Sequence, residues 1–411
     1  MRVTTLFNRL LGLAGASVRG VDLTADGLVI DVTPRRRVYR CPCGFTTRGR
    51  YDWTQRTWRH LDLAVTRVWL RGELARIWCP NCQQVRVEDV SWARPGARFS
   101  RDFDDMVAWL AQRMDKTGLA RLMRTSWETI NKILARVVAD HLDDSRLNGL
   151  YRLGVDEISY RRGHKYLTVV VDHDTGKVVW VGQGRSAATL AEFYQLLGPD
   201  RCGELEAVTM DASAAYISAT ETHAADAAIC MDGFHVIAWA NEAVDKTLAN
   251  ARVAELKDQF KAVNGTRAWR QARTVLRYAH ERLTEQHHKI LTVLRRERRE
   301  LFRAWTLKEE LRDLYRIVRP EHAADYLTKW IGKARRSKIP SMMVLADKIA
   351  RVFDAIIAAV TRGLSNGRSE GTNTKIRAIQ RRGYGYHGPD ALAAMIYLCC
   401  SGIKINLPTE P

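Results

Sequence analysis

The chain has 411 residues and is 46% hydrophobic, enough for two to four domains with sizeable cores. Its 65 Lys and Arg outnumber 46 Asp and Glu, and the net charge of +19 predicts an anionic partner, nucleic acid ahead of an acidic membrane surface. No apolar run approaches the ~20 residues needed to cross a bilayer, Arg9 breaks the N-terminal apolar stretch before any clear cleavage site, and the cysteines lack a secreted disulfide pattern. Together these predict a cytoplasmic protein without a membrane role.

Residues 1–37 are modestly apolar, then basic, and end in Arg35-Arg36-Arg37; no function is assigned to them. Residues 38–90 carry Cys41-Pro42-Cys43-Gly44 and, after a β-compatible stretch over Thr66–Trp78, Cys79-Pro80-Asn81-Cys82. Two such knuckles describe a zinc ribbon, in which four thiolates close a tetrahedral Zn²⁺ site. The first knuckle is one residue shorter than C-x-x-C, which strains one ligand or brings in His60 as a substitute; buried or redox-active thiols are the alternative. Arg48 and Arg50 lie in a dense arginine setting suited to phosphate.

Residues 98–148 read as helix-turn-helix. Phe103, Val107, Leu110 and Met114 share helical spacing, Thr117–Met123 is a short helix, and Thr125 with Glu128 forms a capping box that opens a third helix to about Leu142. That helix would present Trp127, Glu128, Asn131, Lys132 and Arg136 to DNA.

Residues 149–235 begin with three strands, Leu153–Asp156, Tyr166–Val171 and Lys177–Gln183, with turn chemistry between the last two. A helix over Ser186–Leu197, a strand Leu205–Met210 ending at Asp211, and a strand Ala227–Met231 before Asp232-Gly233-Phe234-His235 complete an α/β sheet. A strand that stops on an acid with two antiparallel strands behind it is how an RNase H-like catalytic domain starts. Residues 236–361 read as an all-α insertion with Trp269, Trp305 and Trp330 as core anchors. Residues 362–400 return to the catalytic fold: a helix from about Arg368 carries Glu370, Asn373, Lys375, Arg377, Arg381 and Arg382, and Asp390–Cys400 is a last apolar helix before a tail over 401–411.

Asp156 and Asp211 at strand ends and Glu370 at a helix start form a set of carboxylates suited to Mg²⁺ or Mn²⁺, hard cations that prefer oxygen ligands. Two such ions can activate an attacking oxygen and stabilise a leaving one, with Asp156 as the bridge. Each acid also has a plainer use: a solvated strand end for Asp156, a helix cap for Asp211, and a helix-dipole partner for Glu370.

The segments Gly154–Glu157 (GVDE), RRGHKYLTVVVDHDTGKVV, Val208–Ser213 (VTMDAS), Met231–Val236 (MDGFHV) and Ser365–Tyr386 (SNGRSEGTNTKIRAIQRRGYGY) resemble bacterial insertion-sequence DDE transposases of the zinc-ribbon-containing ISL-three family. The resemblance runs from about Tyr39 to Cys400 and implies an Asp156, Asp211, Glu370 triad on an RNase H-like fold interrupted by a helical insertion. It also implies a D-x-x-H element, Asp232 to His235, whose histidine orients the scissile phosphate or the attacking group; a satisfied core histidine is the alternative. The implied protein is bacterial and nucleoid-associated. It binds double-stranded DNA as terminal inverted repeats and target, cutting it and transferring the freed strand; a non-enzymatic DNA-binding regulator or an RNase H-like nuclease is the alternative. Joining two ends predicts a homodimer on DNA, and the basic and recognition-helix residues predict contacts through Arg48, Arg50, Trp127, Asn131, Lys132, Arg136, Lys375, Arg377, Arg381 and Arg382.

Overall fold

The computed structural model describes residues 2–161, 163, 165–257, 265–364, 367–384, 386 and 388–410, and the side chains of these except 252–257, 265–268 and 367–370. The chain divides into two compact units, Met1–Asp143 with Ala378–Pro411, and Asp144–Arg377.

In the first unit, helix α1 (Val3–Leu11) leads into strands β1 (Ala16–Thr24), β2 (Gly27–Pro34), β3 (Tyr39–Arg40), β4 (Thr46–Thr47), β5 (Asp52–Leu63), β6 (Thr66–Cys79) and β7 (Gln84–Val87). One sheet runs β1-β2-β6-β5, and β7 also pairs with β6. The length of β6 explains this: Val68–Arg71 pair with β2, and Arg76–Cys79 pair with β7. Ile30, Val32, Trp58, Leu70, Leu74 and Trp92 fill one core beneath it. The boundary expected at residue 37 therefore falls inside a single sheet, because β2 hydrogen-bonds to β6 and joins the β1–β2 hairpin to the β5–β6 hairpin.

Helices α2 (Arg101–Ala111), α3 (Lys116–Leu122) and α4 (Trp127–His141) follow, capped by Ser100, Asp115 and Ser126. The cap of α4 is Ser126, whose Oγ accepts from Thr129 N at 3.2 Å, one residue later than the capping box read at Thr125. Thr125 is still in the turn, its N–H bonded to Ala120 O at 3.0 Å after Arg124 adopts φ 50°.

In the second unit β8 (Arg152–Arg161), β9 (Lys165–Asp172) and β10 (Val178–Gln183) form an antiparallel meander. Helices α5 (Ala187–Leu197) and α6 (Pro199–Gly203) cross over to β11 (Ala207–Met210), and α7 (Ala214–His223) to β12 (Ala228–Met231). The strand order is β10-β9-β8-β11-β12, with β11 parallel to both β8 and β12. Parallel neighbours require such helical crossovers, and the crossover residues Phe193, Tyr194 and Tyr216 bury against Leu153, Val155 and Val208.

Helix α8 (Gly233–Lys257) starts two residues after β12 ends, and α9 (Gly265–Arg277), α10 (Glu285–Glu297), α11 (Arg299–Asp313), α12 (Ala323–Arg335), α13 (Pro340–Arg351) and α14 (Phe353–Thr361) come later in the chain. The insertion boundary read at residue 236 thus lies within α8. Trp305 and Trp330 are buried in this helical core and Trp269 packs against it, with Trp330 Nε1 donating to Leu307 O at 2.8 Å. Buried Lys308 donates to the Leu276 and Tyr278 carbonyls at 2.9 Å, supplying donors that the end of α9 lacks.

Helix α15 (Gly367–Arg382) contains the division between units, and α16 (Pro389–Cys400) lies wholly in the first. Residues 362–400, read as the second part of the catalytic fold, pack in two places: α16 lies on α4 of the first unit, and Gln112 Nε2 donates to Leu398 O at 2.8 Å. The apolar face of α16, with Leu392 and Ile396 fully buried, finds its cover there.

Candidate active site and cysteine cluster

Asp156 does not end its strand. β8 continues to Arg161, and Asp156 pairs with Val169 of β9. On its other side, however, β11 stops at Met210, and the β8–β11 register ends at Thr209 opposite Gly154. Continuing that register two residues sets Asp211 beside Asp156, both at the carboxyl edge of parallel strands where α/β sheets bind ligands. Desolvation by burial comes first and raises the Asp156 pKa; the Glu157 N–H, the Asn373 amide and His235 oppose it, and the Asp211 charge adds to it. Asp156 Oδ1 accepts from Glu157 N at 2.7 Å, and Oδ2 accepts from Asn373 Nδ2. Asp211 accepts from Ser213 N at 3.0 Å in a turn before α7, whose first turn has no side-chain cap.

Asn373 is carried by α15. Glu370 lies one turn earlier in the same helix; its side chain is outside the described residues. Asp232 is buried and follows β12; its Oδ1 accepts from Phe234 N and its Oδ2 bonds His235 Nδ1, both at 2.9 Å. That carboxylate, ahead of the opposing effect of burial, raises the His235 pKa, and the charges of Asp156 and Asp211 raise it further. The histidine is therefore half-buried and electrostatically coupled to both acids.

The four cysteines converge. Cys41 and Cys43 leave the β3–β4 hairpin, where Gly44 turns at φ 93° and donates to Cys41 O at 2.9 Å. Cys79 ends β6, and Cys82 N donates to Cys79 Sγ at 3.4 Å. The Sγ atoms all lie within 4.8 Å of one another, with Cys43–Cys79 at 3.4 Å and Cys41–Cys82 at 3.9 Å. Thiolates at about 2.3 Å from Zn²⁺ in a tetrahedron stand about 3.8 Å apart, so the donor set fits that ion in spite of the short first knuckle. The Phe45 N–H, then Cys79, brings the Cys43 thiol down to about 7, whereas Cys43 and Cys79 push Cys82 up to about 12. One thiolate forms readily and opposes the next, which a cation would relieve. His60 takes no part: its Nδ1 pairs with Ser100 Oγ at 2.8 Å, and burial lowers its pKa to about 4. Among the described residues this is the one grouping of three or more ligand side chains.

Residues 153–396 match the ISL3 DDE family, described as a transposase, and residues 88–138 match the helix-turn-helix domain of transposase family ISL3. The chain is 38% identical over 440 positions to the transposase for insertion sequence element IS1557 of Mycobacterium tuberculosis, covering 99% of this chain and 98% of that protein. The chain belongs to the ISL3 transposase family. It is also 28% identical over 386 positions to the transposase for insertion sequence element IS1001 of Bordetella parapertussis, covering 93% and 94% of the two chains.

This ISL3 transposase is a DNA-cleaving enzyme with a DNA-binding helix-turn-helix. No described helix is long and apolar enough to cross a membrane. Of the residues read as DNA contacts, Arg48, Arg50, Lys132, Lys375, Arg377 and Arg381 are exposed and Trp127 is half-buried. Arg50 lies over the Trp53 ring at 5.0 Å, and Lys132 pairs with Glu128 at 2.6 Å. Three others have partners inside the transposase. Asn131 accepts from Lys116 Nζ at 2.6 Å, Arg136 stands 3.4 Å from buried Asp104, and Arg382 donates to Gln112 O at 2.6 Å and Ala111 O at 3.2 Å, at the end of α2. Asn373 was not read as a site residue; its place one turn after Glu370 in a helix of alternating polar residues was the available signal.

Proposed function

We propose that this transposase cuts DNA at a centre built from Asp156, Asp211 and Glu370. The β8–β11 register, which sets Asp156 beside Asp211, carries the reading. The amide of Asn373 on Asp156 supports bringing in Glu370, since residues three apart share a helix face. The strand order, a meander followed by two parallel strands reached through helices, supports an RNase H-like sheet. The all-oxygen donor set suits two Mg²⁺ or Mn²⁺ ions, which would activate the attacking oxygen and stabilise the leaving one.

Asp156, on the central strand of the sheet, would hold the ions together with Asp211 and Glu370. Asn373 and the Glu157 N–H hold the Asp156 carboxylate in one orientation, and Asp232 holds His235 toward the scissile phosphate. Cys41, Cys43, Cys79 and Cys82 would hold Zn²⁺, which would fix the β3–β4 hairpin on β6. The ribbon and helix-turn-helix recognise the terminal inverted repeats, with Arg48, Arg50, Trp127 and Lys132 as contacts; Lys375, Arg377 and Arg381 track phosphates. Joining two ends requires at least a homodimer on DNA.

The test is cleavage of labelled DNA carrying the element's ends, with wild type and Glu370→Gln, in Mg²⁺, Mn²⁺ and chelator. Metal-dependent nicking at the boundary, absent in Glu370→Gln, is expected, followed by transfer of the freed 3′-hydroxyl to target DNA. Equal cutting by Glu370→Gln overturns the triad, and hydrolysis without strand transfer reduces the activity to a nuclease.

A further inference from the structure

Next to the start of α8, the second unit opens a cleft of about 580 Å³. Packing voids in protein interiors seldom exceed a water molecule, and ligand sites occupy about 300–1,000 Å³, so this is not a packing defect. Its walls are largely apolar, with Ile237, Val318 and Val360 among them, and two aromatic rings, Phe234 and Tyr315, line it. Phe234 is 61% exposed, an unusual place for a phenyl ring between two residues of a reactive cluster. The Tyr315 ring is seated against α8: a Cβ at Gly233 would stand 2.9 Å from it, so glycine is required there. The Tyr315 hydroxyl is buried without a hydrogen-bond partner among the described residues. Burial, then the nearby Asp232 charge, raises its pKa and keeps it a donor. At the rim Arg316 is half-exposed and held by Glu281 at 2.9 Å.

Asp232 joins this cleft to the cleavage centre, because it lines the cleft and also fixes His235. We propose that the cleft receives one nucleobase turned out of the duplex beside the cleavage point. The base stacks on Phe234 and accepts from the Tyr315 hydroxyl, and its phosphate lies toward Arg316. Apolar walls, an aromatic lip, one inner donor and a cation at the rim match a base with its attached phosphate. A lipid or a peptide has no comparable use for that combination beside a phosphodiester-cutting site. Extruding a base costs a few kcal/mol, and stacking on an aromatic side chain offsets that cost. The proposal rests on Asp156 and Asp211 being the cleavage centre.

Base extrusion is read with permanganate, which oxidises unstacked thymine, on end DNA carrying thymine in turn at each position flanking the cut. The full chain bearing Asp156→Ala, which holds DNA uncut, is expected to raise reactivity roughly tenfold at one position. Adding Val360→Trp, which fills the cleft, should abolish that rise while end binding persists. In the otherwise wild-type chain, Phe234→Ala and Val360→Trp should each cut about tenfold more slowly, the size of one base–aromatic stack. An abasic nucleotide at the reactive position should restore the rate of Val360→Trp. Phe234→Ala changes an exposed side chain and covers the case in which Val360→Trp misfolds. No reactive position, or reactivity that survives both substitutions, overturns the proposal. If Asp156→Ala still cuts, the carboxylate reading fails instead, and permanganate on wild type in chelator still reads extrusion.

Discussion

Replacing Asn373 with alanine removes the amide donor from Asp156 Oδ2 and leaves the Glu157 N–H on Oδ1. A hydrogen bond to a charged group contributes about 1.5–3 kcal/mol, or roughly 10- to 100-fold in an equilibrium constant. The same range applies when a partner that orients a metal ligand is lost. Because the 2.7 Å bond from Glu157 persists, the lower end is expected, about tenfold. The assay is nicking of end DNA over a Mg²⁺ titration, with end binding measured by gel shift in chelator. Asn373→Ala should raise the half-saturating Mg²⁺ about tenfold, recover most of its rate at saturation, and bind DNA as wild type does. An unchanged Mg²⁺ dependence would refute the argument that Asn373 orients a metal-bearing carboxylate. A lower maximal rate at unchanged half-saturation would move Asn373 to the DNA instead.

Cys79→Ser, or strong chelation, should release bound zinc and abolish end binding, since structural zinc affinity is largely folding free energy; metal analysis and gel shift report both, and full binding without zinc would show that the ribbon stands on its hydrophobic contacts. Asp104 is fully buried, and desolvation raises its pKa to about 7, against the partial relief of Arg136 and Arg94. With the folded pKa above the unfolded one, its contribution is present below about pH 4 and is lost as pH rises through about 7. Asp104→Asn should therefore gain stability relative to wild type between pH 4 and pH 8 by about 4 kcal/mol; a flat difference across denaturation curves at those pH values would contradict the assignment. Lys132→Ala removes an exposed, solvent-screened pair with Glu128 that adds little to stability, so melting temperature should hold while end affinity falls, and equal affinity would exclude Lys132 from the interface.

Local chemistry made several features readable from the sequence. The cysteine knuckles, the acids next to β-branched runs and the tryptophans of the helical segment each announce themselves within a few residues. What was not readable depends on partners distant in the chain. Whether β8 ends at Asp156 is decided by β9, which continues to pair with it, and by β11, which does not. The strands before residue 37 look unremarkable until β6 proves long enough to pair with β2. Arg382 resembles a phosphate contact by charge alone, but it satisfies carbonyls at the end of α2, a helix 270 positions away. The Thr125 capping box was displaced by one residue because two adjacent hydroxyls compete for the cap, and the left-handed turn at Arg124 selects Ser126.

Helix α8 carries in its first turn the histidine held by Asp232 and, at 25 residues, extends about 38 Å. Its buried positions Val236, Ala240, Val244 and Leu248 are shared with the helical core. The inserted helices are consequently not a detachable module. Trimming them to a linker would strip the apolar stripe that fixes the helix's rotation about its own axis, and His235 rides on the first turn of that rotation. Engineered shortening of this transposase would have to keep α8 and the faces of α11 and α13 that clasp it, whatever else were discarded.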